Sequence, residues 1–242
     1  MIPISSTKIS FSDKRVRGLL IILGFALVQP LIIDARLSPA WAEESRILPV
    51  VRTMESSFDS VEDYSCEVEQ IFYQDGKEDQ RYQFKFYYKR NKRIRVDFIS
   101  PYSGMSIYYQ GGNRDATVKP FRGLPSLKFK FSIHNPLIKT AAGQTIDQTD
   151  MGYFINFLMK NLKKVKQGED EVYENREQMK FLLLAMDYIE EKNLERYRII
   201  ISKRNWLPIR IERYHLEGQA LEVTMIKDYV INGRLGEKFF TP

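Results

Sequence analysis

Two-residue alternation of bulky apolar and charged side chains, broken at intervals by glycine turns, constrains this 242-residue chain more than any other feature. Tyr82, Phe84, Phe86 and Tyr88 alternate with Arg81, Gln83, Lys85 and Lys89; only Tyr87 breaks the polar face. Ile94, Val96 and Phe98 alternate with Arg93, Arg95 and Asp97, and Leu127, Phe129, Phe131 and Ile133 alternate with Lys128, Lys130 and Ser132. Successive side chains of a strand point to opposite faces, so each run is a strand with one face buried and one wet. Asp75-Gly76, Gly111-Gly112 and the Pro101/Gly104 stretch punctuate the runs as turns. Short connections between such strands permit antiparallel neighbours only, which makes a meander.

Two segments carry the helical period instead. Ile47, Val50, Val51, Met54, Phe58 and Val61 predict a helix over about 45–60 with Ser45 as its N-cap. Met151, Phe154, Ile155, Leu158, Leu162 and Val165 predict a second, capped by Thr149 or Asp150. Lys160, Lys163, Lys164 and Lys166 crowd its C-terminal end, where they complement the helix dipole or form a docking patch. Strands resume over 178–189, 195–202, 207–216 and 220–230, with a further candidate at 235–241. The expected fold is therefore α+β, mainly β, with one or two helices inserted into about ten antiparallel strands.

Ahead of this lies a different kind of segment. Lys8, Lys14, Arg15 and Arg17 precede the apolar run Gly18–Ile33, and Ala40-Trp41-Ala42 presents small residues at the positions a signal peptidase reads. Pro30 and Asp34 interrupt the run before it reaches the roughly 20 apolar residues of a membrane span. Residues 1–42 are expected to be a signal peptide and 43–242 the exported mature domain. The whole chain carries 37 basic and 31 acidic residues. Half of that excess sits in the leader, and the net of +3 left on the mature part is too mild to point to nucleic acid.

Clustered catalytic groups are not apparent. His134 and His215 lie far apart in sequence, the single Cys66 excludes an internal disulfide, and the carboxylate runs Glu169-Asp170-Glu171 and Glu190-Glu191 read as surface. No phosphate-binding glycine loop or G-x-S-x-G elbow is present. An enzyme is not expected, nor a cofactor or metal. Attention falls instead on one-sided apolar bulk: Phe72, Tyr82, Phe84, Phe86, Tyr88, Phe98, Phe129 and Phe131. Bulk of this kind fills a core, or lines a cavity where two helices cover a curved sheet only in part.

From Tyr64 to Phe121 the chain resembles the LolA/LolB-like superfamily of periplasmic outer-membrane lipoprotein carriers and their relatives. The resemblance runs through YSCEVEQIFYQDGK, KRNKRIRVDFISP and MSIYYQGG, with Gln70, Lys89-Arg90, Pro101 and Gly111-Gly112 in the family's places. It continues in IIISKRNWLPIRIERYHLEG and the closing Phe239-Phe240-Thr241-Pro242. Asn91 departs from the pattern, standing where the carrier usually has proline, as does the segment from Ser126 to Leu158. The resemblance implies a periplasmic protein with a single curved antiparallel sheet forming an incomplete barrel, lidded by about two to three helices, that binds acyl chains of lipids or lipoproteins, with Arg90 as a lid latch. It also implies a carrier working toward the outer membrane, or a sensor that engages an inner- or outer-membrane partner protein. A monomer is the expected state.

Overall fold

The computed structural model describes residues 45–124, 126–165, 171–187 and 192–242. The signal peptide read at 1–42, Lys166, Glu169-Asp170 and Glu190-Glu191 lie outside these.

Among the described residues eleven strands form one antiparallel sheet, and within each of its two meanders the order follows from the sequence turns. They are β1 (Asp63–Gln74), β2 (Lys77–Lys89), β3 (Arg93–Ser100), β4 (Ser106–Tyr109), β5 (Asp115–Lys119), β6 (Phe129–Ser132), β7 (Val172–Glu174), β8 (Gln178–Met186), β9 (Leu194–Ser202), β10 (Pro208–Tyr214) and β11 (Ala220–Ile231). The two meanders, β1–β6 and β7–β11, join where β1 pairs with β11, giving the order β6-β5-β4-β3-β2-β1-β11-β10-β9-β8-β7. The edges β6 and β7 are not paired with each other, so the barrel stays open. No described helix is long and apolar enough to cross a membrane.

Both expected helices form. In α1 (Ile47–Asp59) Ile47, Val50, Val51 and Met54 are buried, and Ser45 lies just before the N-cap Arg46, its hydroxyl accepting from Ile47 N–H. In α2 (Met151–Lys164) the N-cap is Asp150, whose carboxylate accepts from Tyr153 N–H at 3.0 Å. The two helices pack against each other and share one core with β8 and β9, built on Leu158, Phe181, Leu183, Tyr197, Ile199 and Ile201. A second core lies over β1–β5, around Tyr64, Phe86, Tyr88, Ile94 and Ile107.

The segment 235–241 is not a strand: Glu237–Phe240 forms a 3-10 turn on the convex face. A strand would send Phe239 and Phe240 to opposite faces. The tighter turn lets Phe239 stack on Arg95, 4.3 Å from its guanidinium, while Phe240 is fully buried. The short β7, which the period did not reveal, is held by pairing to β8.

One turn explains a departure seen in the sequence. Asn91 and Lys92, between β2 and β3, have φ of 68° and 55°. A proline ring fixes φ near −65° and cannot adopt this geometry, so asparagine stands there instead. Gly111, in the next turn, lies directly against it: a Cβ at Gly111 would come within 2.1 Å of the Asn91 carbonyl oxygen. The contacts are the Asn91 carbonyl and the Lys92 Cβ, and rotating a side chain moves neither of them away. Gly111→Ala is therefore expected to cost about 1–3 kcal/mol. Urea unfolding would read it as a lower midpoint at unchanged slope.

Candidate functional site

The concave face of the sheet is covered unevenly, and this creates the site. Helix α1 and the later part of α2 fill the half over β8 and β9 with side chains. Over β1–β4 and β11 the cover is thinner. It consists of an arch, residues 133–150, with two 3-10 turns at Pro136–Ile138 and Ile146–Gln148, followed by the first turns of α2. Between arch and sheet lies a cavity of about 560 Å³. That falls in the range of about 300–1,000 Å³ usual for small-molecule pockets.

The walls are mostly apolar. Strands contribute Cys66 and Val68 from β1, Tyr82, Phe84 and Phe86 from β2, Val96 and Phe98 from β3, and Ile107, Ile211 and Ile226 from β4, β10 and β11. The arch and α2 contribute Ile138, Ile146, Met151, Phe154 and Phe157. At the rim, Tyr102 and Leu137 line the cavity and are also 53% and 78% exposed, so the mouth itself presents apolar surface to solvent.

The eight aromatic residues expected from the sequence divide into two groups. Tyr82, Phe84, Phe86 and Phe98 meet in the cavity wall. Tyr88 lies deeper, in the core, with its ring 5.1 Å from Tyr64 and 5.8 Å from Phe58 of α1. Burial, with the Asp150 charge second, pushes its phenol up to about 12. Phe72 is buried beside Tyr82 in an edge-on contact, and Phe129 and Phe131 lie side by side at a tilt on β6, with Phe129 45% exposed. These four lie outside the cavity lining.

Arg90 is bound at the base of α1. Its guanidinium donates to the Asp59 and Val61 carbonyls at 2.5 and 3.0 Å and pairs with Glu62 at 3.2 Å. A cation there complements the carbonyl end of the helix. The described bond from this turn to the arch is made two residues later, where Lys92 Nζ donates to the Asp147 carbonyl at 3.1 Å. The left-handed backbone at Asn91 and Lys92 directs the chain that way.

Tyr64 fastens the lid helix to the sheet, its hydroxyl oxygen accepting from Met151 N–H at 3.2 Å. Beside it, Asp150 is 3% exposed, and its Oδ2 has no hydrogen-bond partner. Burial raises the carboxyl's pKa, against the backbone hydrogen bonds and Lys92, which lower it. A folded-state pKa above the unfolded one favours the protonated form, so stability falls as pH climbs from the ordinary aspartate value through the raised one. Asparagine caps helices as well as aspartate does. Asp150→Asn should therefore abolish that pH slope, visible as a Tm difference from wild type that grows with pH across the interval.

Sequence reading missed a polar group set into the concave wall. Glu222 Oε2 pairs with Arg213 at 2.7 Å, and Arg213 in turn forms two bonds of 3.0 Å with Glu195, which accepts from the Tyr197 hydroxyl at 3.0 Å. The side chains of Arg213, Glu195 and Glu222 are all 7% exposed or less. Glu222 Oε1 also accepts from Gln70 Nε2 at 3.1 Å and Thr224 Oγ1 at 2.9 Å, and Gln70, Glu222 and Thr224 line the cavity. A signal was available: Glu222 and Thr224 share strand parity with Ile226, as Glu195 does with Tyr197, Ile199 and Ile201.

His134 and His215 are exposed on separate segments. Cys66 is buried in the cavity wall, where burial pushes its thiol up and keeps it protonated. No group of three or more metal-ligating side chains occurs among the described residues.

Fold and site together define an open antiparallel half-barrel with an apolar cavity under a helical arch. No family model and no curated protein matches the chain. Similar solved structures include an uncharacterized conserved protein from Thermus thermophilus, 10% identical, covering 81% of this chain and 92% of that one at a TM-score of 0.46. A LolA superfamily protein from Nitrosomonas europaea is 15% identical, with 79% and 97% covered and a TM-score of 0.39. The Mycobacterium tuberculosis lipoprotein LppX is 10% identical, with 78% and 97% covered and a TM-score of 0.44. These likenesses concern the fold.

Proposed function

We propose that this chain is a periplasmic binding protein or carrier that holds acyl chains of lipids or lipoproteins in the half-barrel cavity for transfer toward the outer membrane. The observation that carries this reading is the cavity of about 560 Å³ walled by Val68, Phe84, Phe86, Phe98 and Ile226, with Tyr102 and Leu137 exposed at its mouth. Each methylene moved from water into such a wall gains about 0.8 kcal/mol, so a chain of modest length is held without covalent chemistry. The arch and the first turns of α2 form the lid, tied to the sheet by the Tyr64 and Lys92 bonds. The residue-level resemblance to the LolA superfamily agrees with this reading.

Binding of a fluorescent fatty acid or alkyl probe by delipidated mature protein tests it, alongside native mass spectrometry of co-purifying lipid. Saturable one-site binding and a lipid mass adduct are expected. A delipidated sample that binds no chain-bearing probe of any headgroup overturns the proposal.

A further inference from the structure

We propose that the cavity contains a headgroup station, formed by Gln70, Thr224 and Glu222, that selects chains ending in a hydrogen-bond donor: a hydroxyl, an amide N–H or an ammonium. The inference rests on the acyl-binding reading and specifies its ligand class. Three neighbouring strand positions build the station. Gln70 of β1 sits directly opposite Thr224 of β11, and Glu222 lies two residues along on the same face. All three line the otherwise apolar cavity.

The selectivity follows from which donors are already engaged. An ionised carboxylate only accepts hydrogen bonds. Glu222 therefore fixes the Gln70 amide with its NH2 turned toward Oε1, at 3.1 Å, and orients the Thr224 hydroxyl proton toward the same oxygen, at 2.9 Å. Arg213 holds the other carboxylate oxygen at 2.7 Å and is itself clamped by Glu195, so the carboxylate cannot swing away. With its hydroxyl proton directed at Glu222, Thr224 offers the cavity lone pairs, and Gln70 offers its carbonyl oxygen. A ligand end that donates is matched. A carboxylate or phosphate end meets acceptors and the Glu222 charge, and loses its water without replacement.

A matched set of twelve-carbon probes (1-dodecanol, dodecylamine and dodecanoate) competing with a fluorescent alkyl reporter on the delipidated mature protein tests the station. The alcohol and the amine are expected to bind at least about tenfold more tightly than the carboxylate, the equivalent of one hydrogen bond. Glu222→Gln removes the charge that orients the Gln70 and Thr224 protons, while Arg213 keeps its pair with Glu195, so the fold of the variant can be checked independently by circular dichroism. In this variant the preference should shrink to within about twofold while reporter affinity persists. Equal or tighter binding of dodecanoate by wild type overturns the station and leaves the acyl-binding reading standing. So does an unchanged preference in a folded Glu222→Gln variant. Failure of all three probes and the reporter overturns the acyl-binding reading as well.

Discussion

Arg213→Ala is expected to cost about 3–5 kcal/mol of stability, the loss seen when one partner of a buried ion pair is removed. The guanidinium bonds Glu195 on one side and Glu222 on the other, and all three side chains are 7% exposed or less. Its removal leaves two carboxylates in the wall with their charge uncompensated. Strand register makes the arrangement rigid: Arg213 is directly opposite Tyr197 on β9 and Glu222 on β11. Replacing the whole group by apolar residues of similar size (Glu195→Leu, Arg213→Met and Glu222→Leu together) should recover most of the loss, because desolvation of the ions disappears with them. Denaturant titration of both variants distinguishes the cases. A single variant as stable as wild type would mean that the network contributes little.

Val68→Trp is expected to weaken binding of an acyl probe by about 100-fold. Val68 lies in the cavity wall on β1, beside Phe84, its pairing partner on β2. An indole there displaces about four methylene groups of a bound chain, about 3 kcal/mol at 0.8 kcal/mol each. Tyr88→Leu serves as the contrasting variant. Tyr88 is among the aromatics expected from the sequence, yet its ring packs on Tyr64 and Phe58 in the core. It should lower the unfolding midpoint while leaving probe affinity within about twofold of wild type. Wild-type affinity in Val68→Trp would place the chain elsewhere than in this cavity.

The sequence by itself determined β2, β3, β6 and β8–β11, their antiparallel order within each meander, and the apolar face of β2 and β3. Two-residue parity is a local property, and the turn residues sit beside the strands they join. The same locality made α1 and α2 legible from their period. Pairing of β1 with β11, which merges the two meanders, joins residues about 160 positions apart, such as Ser65 and Val230, and no local pattern carries it. Cavity and core were likewise indistinguishable in sequence. Phe86 and Tyr88 have the same parity on one strand, but Phe86 faces the space beneath the arch whereas Tyr88 meets Phe58 of α1. Where each helix comes to rest decides which aromatic residues fill a core and which line a cavity. The buried charges depended most on tertiary structure. No local pattern singles out Glu195, Arg213 and Glu222 as a buried group, because a charge enters a sheet's inner face only when a partner meets it there. That partner is supplied through space, by strands that chain connectivity leaves independent and folding brings side by side.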